Sequence, residues 1–194
     1  MKLFYFVILT CVCFSCIKSR KENNKGTDKQ EKRNNQKNAV QMCPEKVLSS
    51  KVEIFVPIDF VKIDTKEVAR TFPDPKRRPD IIFKNTEGSV NISFQHTLKR
   101  ASISEMPGIL EQLTSRYRSN PAIEFIDSHI ESINGKEYVI LEFISQSKIN
   151  KIYNLMLVTS LEDTVMMSAF TCGMSVINEW KGTGNRIIRT IRIL

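Results

Sequence analysis

The chain has 194 residues and a formal net charge of +8, and this length suits one domain of ordinary size. Residues 17–40 hold eight Lys or Arg against three Asp or Glu, so this segment and Lys2 carry most of the net charge. Residues 41–194 keep a net charge of only +2. This argues against a nucleic-acid-binding domain, because such domains usually present a strongly basic face.

The first 16 residues predict an export signal. Lys2 is followed by an apolar run over residues 3–14 and then by Ser15-Cys16. The run is too short to cross a bilayer of about 30 Å as a helix, and it has the dimensions of a secretory signal. A small residue before a cysteine at this place resembles a lipoprotein signal, which implies that Cys16 becomes the first mature residue and carries lipid. Cleavage before Cys11, ordinary signal cleavage and an uncleaved anchor are the alternatives.

Residues 17–45 predict a disordered basic tether that joins this signal to a domain at residues 46–194. From Ile17 to Val40 the chain has almost no apolar residue and many Lys, Asn and Gln. A segment of this composition cannot bury enough surface to offset the entropy of ordering it. Its cations can also lie along an anionic lipid surface, although a linker that is merely solvated is the simpler interpretation.

The domain opens with a strand and a short helix. Val52–Val56 predicts the first strand, which ends before a proline, and residues 58–63 could continue it beyond a bend. Asp64 or Thr65 would cap the following helix, which reaches Arg70 and has an acidic residue in its first turn.

Residues 72–79 predict a loop, because three prolines in eight residues exclude a helix and a central strand. The loop carries the consecutive cations Lys76-Arg77-Arg78. They are candidates for contact with an anionic partner such as lipid headgroups, a cell-wall polymer or an acidic protein face. The simpler alternative is a solvated loop in which Asp74, Asp80 or another local carboxylate holds Arg78.

A hairpin and the main helix follow the loop. Asp80–Lys84 and Ser89–Thr97 predict two strands joined by turn residues. The second strand alternates clearly and places His96 on its apolar side. Ser104–Asn120 predicts the main helix, with Ser104 as its cap and an apolar face at helical spacing.

Four further strands form the rest of the sheet. They are predicted at Ala122–Ile133, Glu137–Gln146, Lys151–Ser160 and Thr164–Cys172. The short connections between the last three predict antiparallel hairpins. These three strands are apolar on both faces over most of their length, so both faces of the sheet need a cover.

A closing helix completes the predicted domain. Ser175 would cap it, and Trp180 falls on its buried stripe. Gly182 and Gly184 each weaken the helix, so a break there is an alternative. The elements together predict an α+β fold in which helices cover a largely antiparallel sheet.

Short patterns over most of residues 50–194 carry a resemblance to a known fold. They are Pro73 with Arg78-Pro79, residues 91–97 (NISFQHT), Ile133-Asn134-Gly135-Lys136, Tyr153-Asn154-Leu155-Met156, Phe170-Thr171-Cys172 and Glu179-Trp180. In this order and spacing the domain resembles the PsbP-like α/β/α sandwich, and it is similar to small bacterial lipoproteins of the DcrB-like group. The resemblance implies a fold and an envelope location, and it implies no common catalytic site.

Residues that could carry chemistry are few. His96 and His129 have no metal-ligand spacing, and the chain has no nucleophile elbow or phosphate-binding loop. We therefore predict no catalytic residue, no metal site and no cofactor. A histidine satisfied at the sheet end is the simpler interpretation of His96. Glu142 could be a functional carboxylate, although pairing with a lysine is the simpler interpretation.

Cys43 and Cys172 form an even pair in an exported chain once Cys16 carries lipid, and disulfides persist in such chains. Cys43 lies before the first predicted strand and Cys172 ends the last one. A disulfide would need those ends to be neighbours. The alternative is a buried free thiol at Cys172 with Cys43 loose in the linker.

Two classes of function follow from these observations. The first is a non-enzymatic binding or accessory module, anchored by lipid to a membrane of the cell envelope and facing the periplasm or the exterior. Its partner would be a protein or an envelope polymer and not a nucleic acid. The second is an envelope hydrolase or ligand sensor with an unrecognised site. A deep pocket that joins His96 or His129 to a carboxylate would favour the second class.

Overall fold

The computed structural model describes residues 40–146 and 150–194. They form two antiparallel sheets and three α-helices, which confirms the predicted α+β class. The strands are β1 (Met42–Val47), β2 (Val52–Pro57), β3 (Val61–Lys62), β4 (Ile81–Lys84), β5 (Val90–Arg100), β6 (Ile123–Ile133), β7 (Lys136–Gln146), β8 (Lys151–Leu161), β9 (Thr164–Gly173) and β10 (Arg192–Ile193). The helices are α1 (Thr65–Thr71), α2 (Met106–Arg118) and α3 (Ile177–Ile188).

The large sheet has the strand order β3-β4-β5-β9-β8-β7-β6, and the small sheet has the order β1-β2-β10. Two consecutive hairpins place β7, β8 and β9 side by side in the large sheet. Every residue of β8 from Tyr153 to Leu161 is buried. Its alternate side chains enter two separate hydrophobic cores, as the apolar pattern on both faces predicted.

The two faces of the large sheet have different covers. One face packs against α2 alone, and we call it the helix face. The other face packs against α3 and the small sheet together, and we call it the composite face. The two helical covers were predicted. The small sheet was not, and it buries Val52, Ile54 and Val56 of β2 against the composite face.

The first strand lies earlier in the chain than the sequence indicated. Met42–Glu45 fall in the predicted tether, but in the structure they belong to β1 and pair with β2. Pro44 is tolerated there because β1 is an edge strand. Residues 58–63 do not continue β2. The Phe60 N–H donates to the Pro57 carbonyl across 3.0 Å, the chain turns, and β3 joins the large sheet instead.

The start of α1 confirms its predicted cap, while α2 begins differently. Asp64 Oδ1 accepts a hydrogen bond from the Lys66 N–H at 2.6 Å. A short 3-10 turn precedes α2, and Ser104 lies inside that turn. The carboxylate of Glu105 accepts from the Ser102 N–H at 2.6 Å in a capping box that begins this turn. The N-cap position of α2 itself is Glu105 and not the predicted Ser104.

The closing helix α3 runs past both of its glycines without a break. Gly184 is required there, because a Cβ atom would lie 2.4 Å from Phe170 Cε1. Ser175 does not cap the helix but lies in a preceding 3-10 turn. Trp180, which was predicted in the core, is only half-buried and packs on the Phe60 ring with centroids 5.5 Å apart.

Two turns at one end of the molecule have left-handed backbone without glycine. Leu48, Ser49 and Ser50, between β1 and β2, have φ values of 51°, 58° and 64°. Glu162 and Asp163, between β8 and β9, have φ values of 50° and 56°. Paired left-handed residues match the twist of a two-residue hairpin. Three in succession are strained, at on the order of 1–3 kcal/mol for each residue.

Candidate functional site

An open cavity of about 310 Å³ lies beside the turn of residues 48–50. We call it the His96 pocket, and it is lined by Leu48, Ser49, Lys51, Asp80, Ile81 and His96. It forms because β5 continues to Arg100 while its neighbour β4 begins only at Ile81, opposite Phe94. The turn of the small sheet borders the space that β4 leaves open, so the pocket lies at a junction between the two sheets.

The His96 ring is fixed by two oxygen atoms. Its Nε2 lies 2.6 Å from Thr164 Oγ1 and 3.2 Å from the Leu161 carbonyl oxygen. The Thr164 hydroxyl donates its own proton to that same carbonyl, across 2.8 Å. With the hydroxyl in that orientation, both oxygens accept from a protonated Nε2. A neutral His96 consequently carries its proton on Nε2 and keeps a lone pair on Nδ1.

The other polar side chains of the pocket also have partners. Asp80 Oδ2 accepts a hydrogen bond from the His96 backbone N–H at 2.7 Å. Lys51 Nζ lies 2.5 Å from Glu162 Oε2, which links the two left-handed turns. The pocket thus contains a histidine and a carboxylate, but the carboxylate bonds the backbone of His96 and not its ring. It is not a His–Asp pair arranged for proton transfer.

The three consecutive cations have different environments. Arg78 holds the loop together, because its Nε and Nη2 donate to the carbonyls of Phe72 and Pro73 at 2.9 and 3.1 Å. These partners are carbonyls and not the expected carboxylates. Arg77 pairs with Asp74 across 3.3 Å. Lys76 and Arg77 are exposed, and their role toward a partner stays a prediction.

His129 lies on the edge strand β6, far from His96. Its Nδ1 is 2.9 Å from Asp127 Oδ2, and its Nε2 is 3.5 Å from Glu131 Oε2. Partial burial acts to raise the pKa of Glu131, but hydrogen bonds and charge from Arg189 outweigh it, so the net pKa is lowered. Arg189 reaches both Glu131 oxygens from α3, at 3.0 and 2.8 Å. The cluster ties the helix to the edge of the sheet.

Glu142 faces α3 on the composite face. Lys181 Nζ lies 2.5 Å from its Oε1, in an ion pair without hydrogen-bond alignment. This confirms the expected pairing with a lysine, but Glu142 lies in the middle of the inner strand β7 and not at a strand end or an edge. The same ammonium lies 5.2 Å from the centre of the Tyr153 ring. Burial, followed by the neighbouring Glu142 carboxylate, raises the pKa of Tyr153.

Both cysteines of the domain are free thiols in the structure. Cys43 lies on β1 of the small sheet, where its Sγ is 3.6 Å from the Val56 carbonyl. Cys172 lies on β9 of the large sheet, opposite Val90 and Tyr153. Burial raises the pKa of the Cys172 thiol to about 11. The structure therefore has the buried free thiol of the second interpretation at Cys172, whereas Cys43 is part of a strand and not of a linker.

Some predicted features lie outside the residues that the structure describes. The signal and the lipidation residue Cys16 lie outside residues 40–146 and 150–194. Within those ranges, no helix is both long and apolar enough to cross a bilayer. The same residues contain no group of three or more His, Cys, Asp or Glu side chains placed to hold a metal ion.

Sequence reasoning found His96 but missed the pocket around it. The turn Leu48-Ser49-Ser50 has none of the Gly or Asn residues that signal left-handed backbone, so nothing marked it. The sequence pattern places Asp80 only at the start of a strand or beside Arg78. The pairing of β5 beyond the start of β4 is a long-range property that local patterns do not encode.

No protein-family model matches the chain, and no curated protein matches it. A solution structure of a cyanobacterial PsbP from Synechocystis sp. PCC 6803 has a TM-score of 0.56 at 12% identity, over 82% of this chain and 96% of that one. A crystal structure from Bacteroides thetaiotaomicron has a TM-score of 0.51 at 11% identity, over 78% of this chain and 48% of that one. LpqN of Mycobacterium tuberculosis has a TM-score of 0.44 at 12% identity, over 79% and 90%. At these identities the first two likenesses concern the fold, and the chain has the PsbP-like fold.

Proposed function

We propose that this chain is a lipoprotein of the cell envelope whose domain is a non-enzymatic binding or accessory module. A lipid on Cys16 would hold it to a membrane, and the domain would face the periplasm or the exterior. Its partner would be a protein or an envelope polymer. The support is the apolar run that ends in Ser15-Cys16, together with a PsbP-like fold.

The observation that carries the proposal is how the titratable side chains are used. Thr164 and the Leu161 carbonyl fix the ring of His96. Lys181 pairs with Glu142. Each contact joins separate elements of the fold: the first holds β5 to β8 and β9, and the second pairs Glu142 of β7 with α3. The arrangement favours recognition by shape and surface charge over catalysis.

The surface we propose for the partner is the loop that contains Lys76 and Arg77. Arg78 sets the shape of this loop through its bonds to backbone carbonyls. The two preceding cations are exposed and would meet an anionic partner. Exposed charges of this kind contribute little to stability, typically about 0–1 kcal/mol, so their replacement leaves the fold intact and isolates any effect on binding.

A second candidate function is that of a ligand sensor. The observation that favours it is the His96 pocket, which brings Lys51, Asp80 and His96 together around one open cavity. A sensor would bind a small ligand there and would transmit occupancy to a partner at another surface.

The anchor is tested by metabolic labelling with palmitate in the native cells. Cys16→Ala should abolish label incorporation and release the chain from membranes, while Cys11→Ala should leave both unchanged. Label that depends on Cys11 would move the modification to that residue. Unchanged label in Cys16→Ala would overturn the lipoprotein proposal.

The partner surface is tested by placing a photo-crosslinking residue at position 76 of the membrane-bound chain. The matched control carries the same residue at position 62, because Lys62 is also exposed and lies on β3. We expect a discrete adduct from position 76, and loss of that adduct on Arg77→Glu. Equal adducts from both positions, or none from position 76, would exclude this loop as the binding surface.

A further inference from the structure

We propose that the His96 pocket binds a primary ammonium group carried on a short aliphatic stem, as in a lysine side chain or a free alkylamine. The proposal goes beyond the accessory function and does not depend on the lipid anchor. It rests on which polar atoms of the pocket are already occupied and which are not.

Two acceptor atoms that line the pocket have no hydrogen-bond partner among the described residues, Nδ1 of His96 and Oδ1 of Asp80. The Nε2–H of His96 is used by Thr164 and Leu161, so its remaining ring nitrogen, Nδ1, offers a lone pair. The Oδ2 atom of Asp80 receives the His96 backbone N–H, and among the described residues no hydrogen bond reaches its Oδ1. Ser49 adds a hydroxyl that can also accept. A ligand that satisfies these atoms must be a donor.

The charges around the pocket also favour a ligand that donates, and specifically a cation. Lys51 is the cation in its lining, and it is paired with Glu162. Asp80 then remains as a carboxylate without an opposite charge among the described residues. A cationic ligand completes the balance, whereas an anionic one would meet two carboxylates near a single ammonium.

The size and the apolar lining limit the ligand further. A volume of about 310 Å³ lies at the low end of the roughly 300–1,000 Å³ of ligand pockets. Leu48 and Ile81 supply aliphatic surface beside the acceptors. This combination suits an ammonium on a hydrocarbon stem, because the stem can lie on the leucine and isoleucine while the charge meets the acceptors.

The backbone of the pocket is an independent observation. Leu48, Ser49 and Ser50 are held in left-handed conformations without glycine. Such strain persists only where the surrounding structure imposes it, and it concentrates at ligand sites. The strained turn supplies two of the lining residues.

The experiment uses the full chain labelled with ¹⁵N at histidine, so that only His96 and His129 report. The probes are the capped peptide Gly-Gly-Lys-Gly-Gly, its norleucine counterpart, which lacks the ammonium, and n-butylammonium chloride. We expect the lysine peptide to move the Nδ1 signal of His96 saturably and the norleucine peptide to leave it unchanged. Equal shifts at His129 would indicate unspecific attraction to acidic surface and would overturn the proposal.

The two cationic probes distinguish the source of the ligand. Binding of butylammonium as tightly as of the peptide indicates a free amine, while at least tenfold tighter binding of the peptide indicates a protein lysine. The six lysines of residues 17–40 could themselves occupy the pocket, so the titration is repeated on a chain in which they are glutamine. Saturable binding in either chain supports the proposal, and binding in neither overturns it.

Two substitutions test the assignment of the atoms. Asp80→Asn keeps an oxygen for the His96 N–H and should weaken binding of the lysine peptide at least tenfold, whereas Asp59→Asn, at an exposed remote turn, should not change it. Lys51→Met frees the Glu162 carboxylate and should tighten binding several-fold, a gain that loss of structure cannot imitate. Weaker binding by Lys51→Met, or equal affinity of the two Asp variants, contradicts the proposal.

Discussion

The two faces of the large sheet are covered in different ways, and the polar clusters described above lie on one of them. On the helix face, α2 alone supplies a continuous apolar cover. On the composite face, the cover is divided between α3 and the small sheet. Three polar groups lie on the composite side of the sheet, at or beyond the margins of that divided cover. They are the His96 pocket, the Glu142–Lys181 pair and the His129 cluster.

The difference shows where polar groups can remain in a small domain. A single helix seals a sheet face with apolar side chains and leaves no junction. Two separate covers meet each other and the edge of the sheet, and their margins must be closed by side chains that tolerate water. Charged and hydrogen-bonding residues serve that purpose, so the composite face has both the structural ion pairs and the open cavity.

The largest expected effect is on the helix face. Leu113 is 1% exposed on α2, and Leu113→Ala should lower the free energy of unfolding by about 2–5 kcal/mol. The reason is that a single helix offers no second element to fill the cavity. Chemical denaturation measures the loss, with Glu111→Ala on the exposed side of the same helix as the control. A loss below about 1 kcal/mol would mean that the helix face is not sealed by α2 alone.

The second effect concerns pH and the composite face. Burial raises the pKa of Cys172 from about 9 to about 11, so the folded state keeps the proton longer than the unfolded state does. The contribution of this thiol to the free energy of unfolding is therefore fully present below pH 9. It is lost as the pH rises through 11, by up to about 2–3 kcal/mol. Denaturation curves at stepped pH values measure it.

Cys172→Ala is the control for this pH effect, because it removes the titration of the thiol. The steep decline in stability between pH 9 and 11 should become shallower in this variant. A native chain with no decline over that interval would contradict a free buried thiol, and it would favour a disulfide with Cys43.

The smallest expected effects on stability are at two glycines of α3, where alanine should act in opposite directions. Gly184→Ala should destabilise by about 1–3 kcal/mol, because the added Cβ would clash with Phe170. Gly182→Ala, where no atom lies within 4 Å of the new Cβ, should stabilise by up to about 1 kcal/mol through helix propensity. Thermal unfolding of the two variants gives the comparison. Effects of equal sign would mean that α3 does not pack this closely on the composite face.

Much of the large sheet could be predicted from the sequence because its signals are local. The strands from Lys136 to Gly173 are apolar on both faces, and their short connections allow only hairpins. The hairpin of β6 and β7 has a left-handed Asn134-Gly135 turn. These two residue types predict such a turn. The cap of α1 could be narrowed to Asp64 or Thr65 for the same reason, since the capping side chain of Asp64 acts on a neighbour two residues away.

The small sheet and the pocket could not be predicted, since both depend on contacts between distant segments. β10 has two residues and pairs with β2 from the far end of the chain. Pro44 indicated a linker where β1 lies, although an edge strand tolerates a proline. The cavity exists because three separate segments end near one another, and Leu48-Ser49-Ser50 adopts a conformation that its residue types disfavour.

The hairpin of β1 and β2 has a mechanical consequence. The strand β1 begins at Met42, opposite Pro57, and ends at Val47, opposite Val52, beside the strained turn. A load on the preceding residues, directed away from the domain, would detach β1 from β2 one residue pair at a time. The rupture would begin at Met42 and would reach the His96 pocket last, so tension on the N-terminal segment has to open the whole strand before it disturbs the cavity.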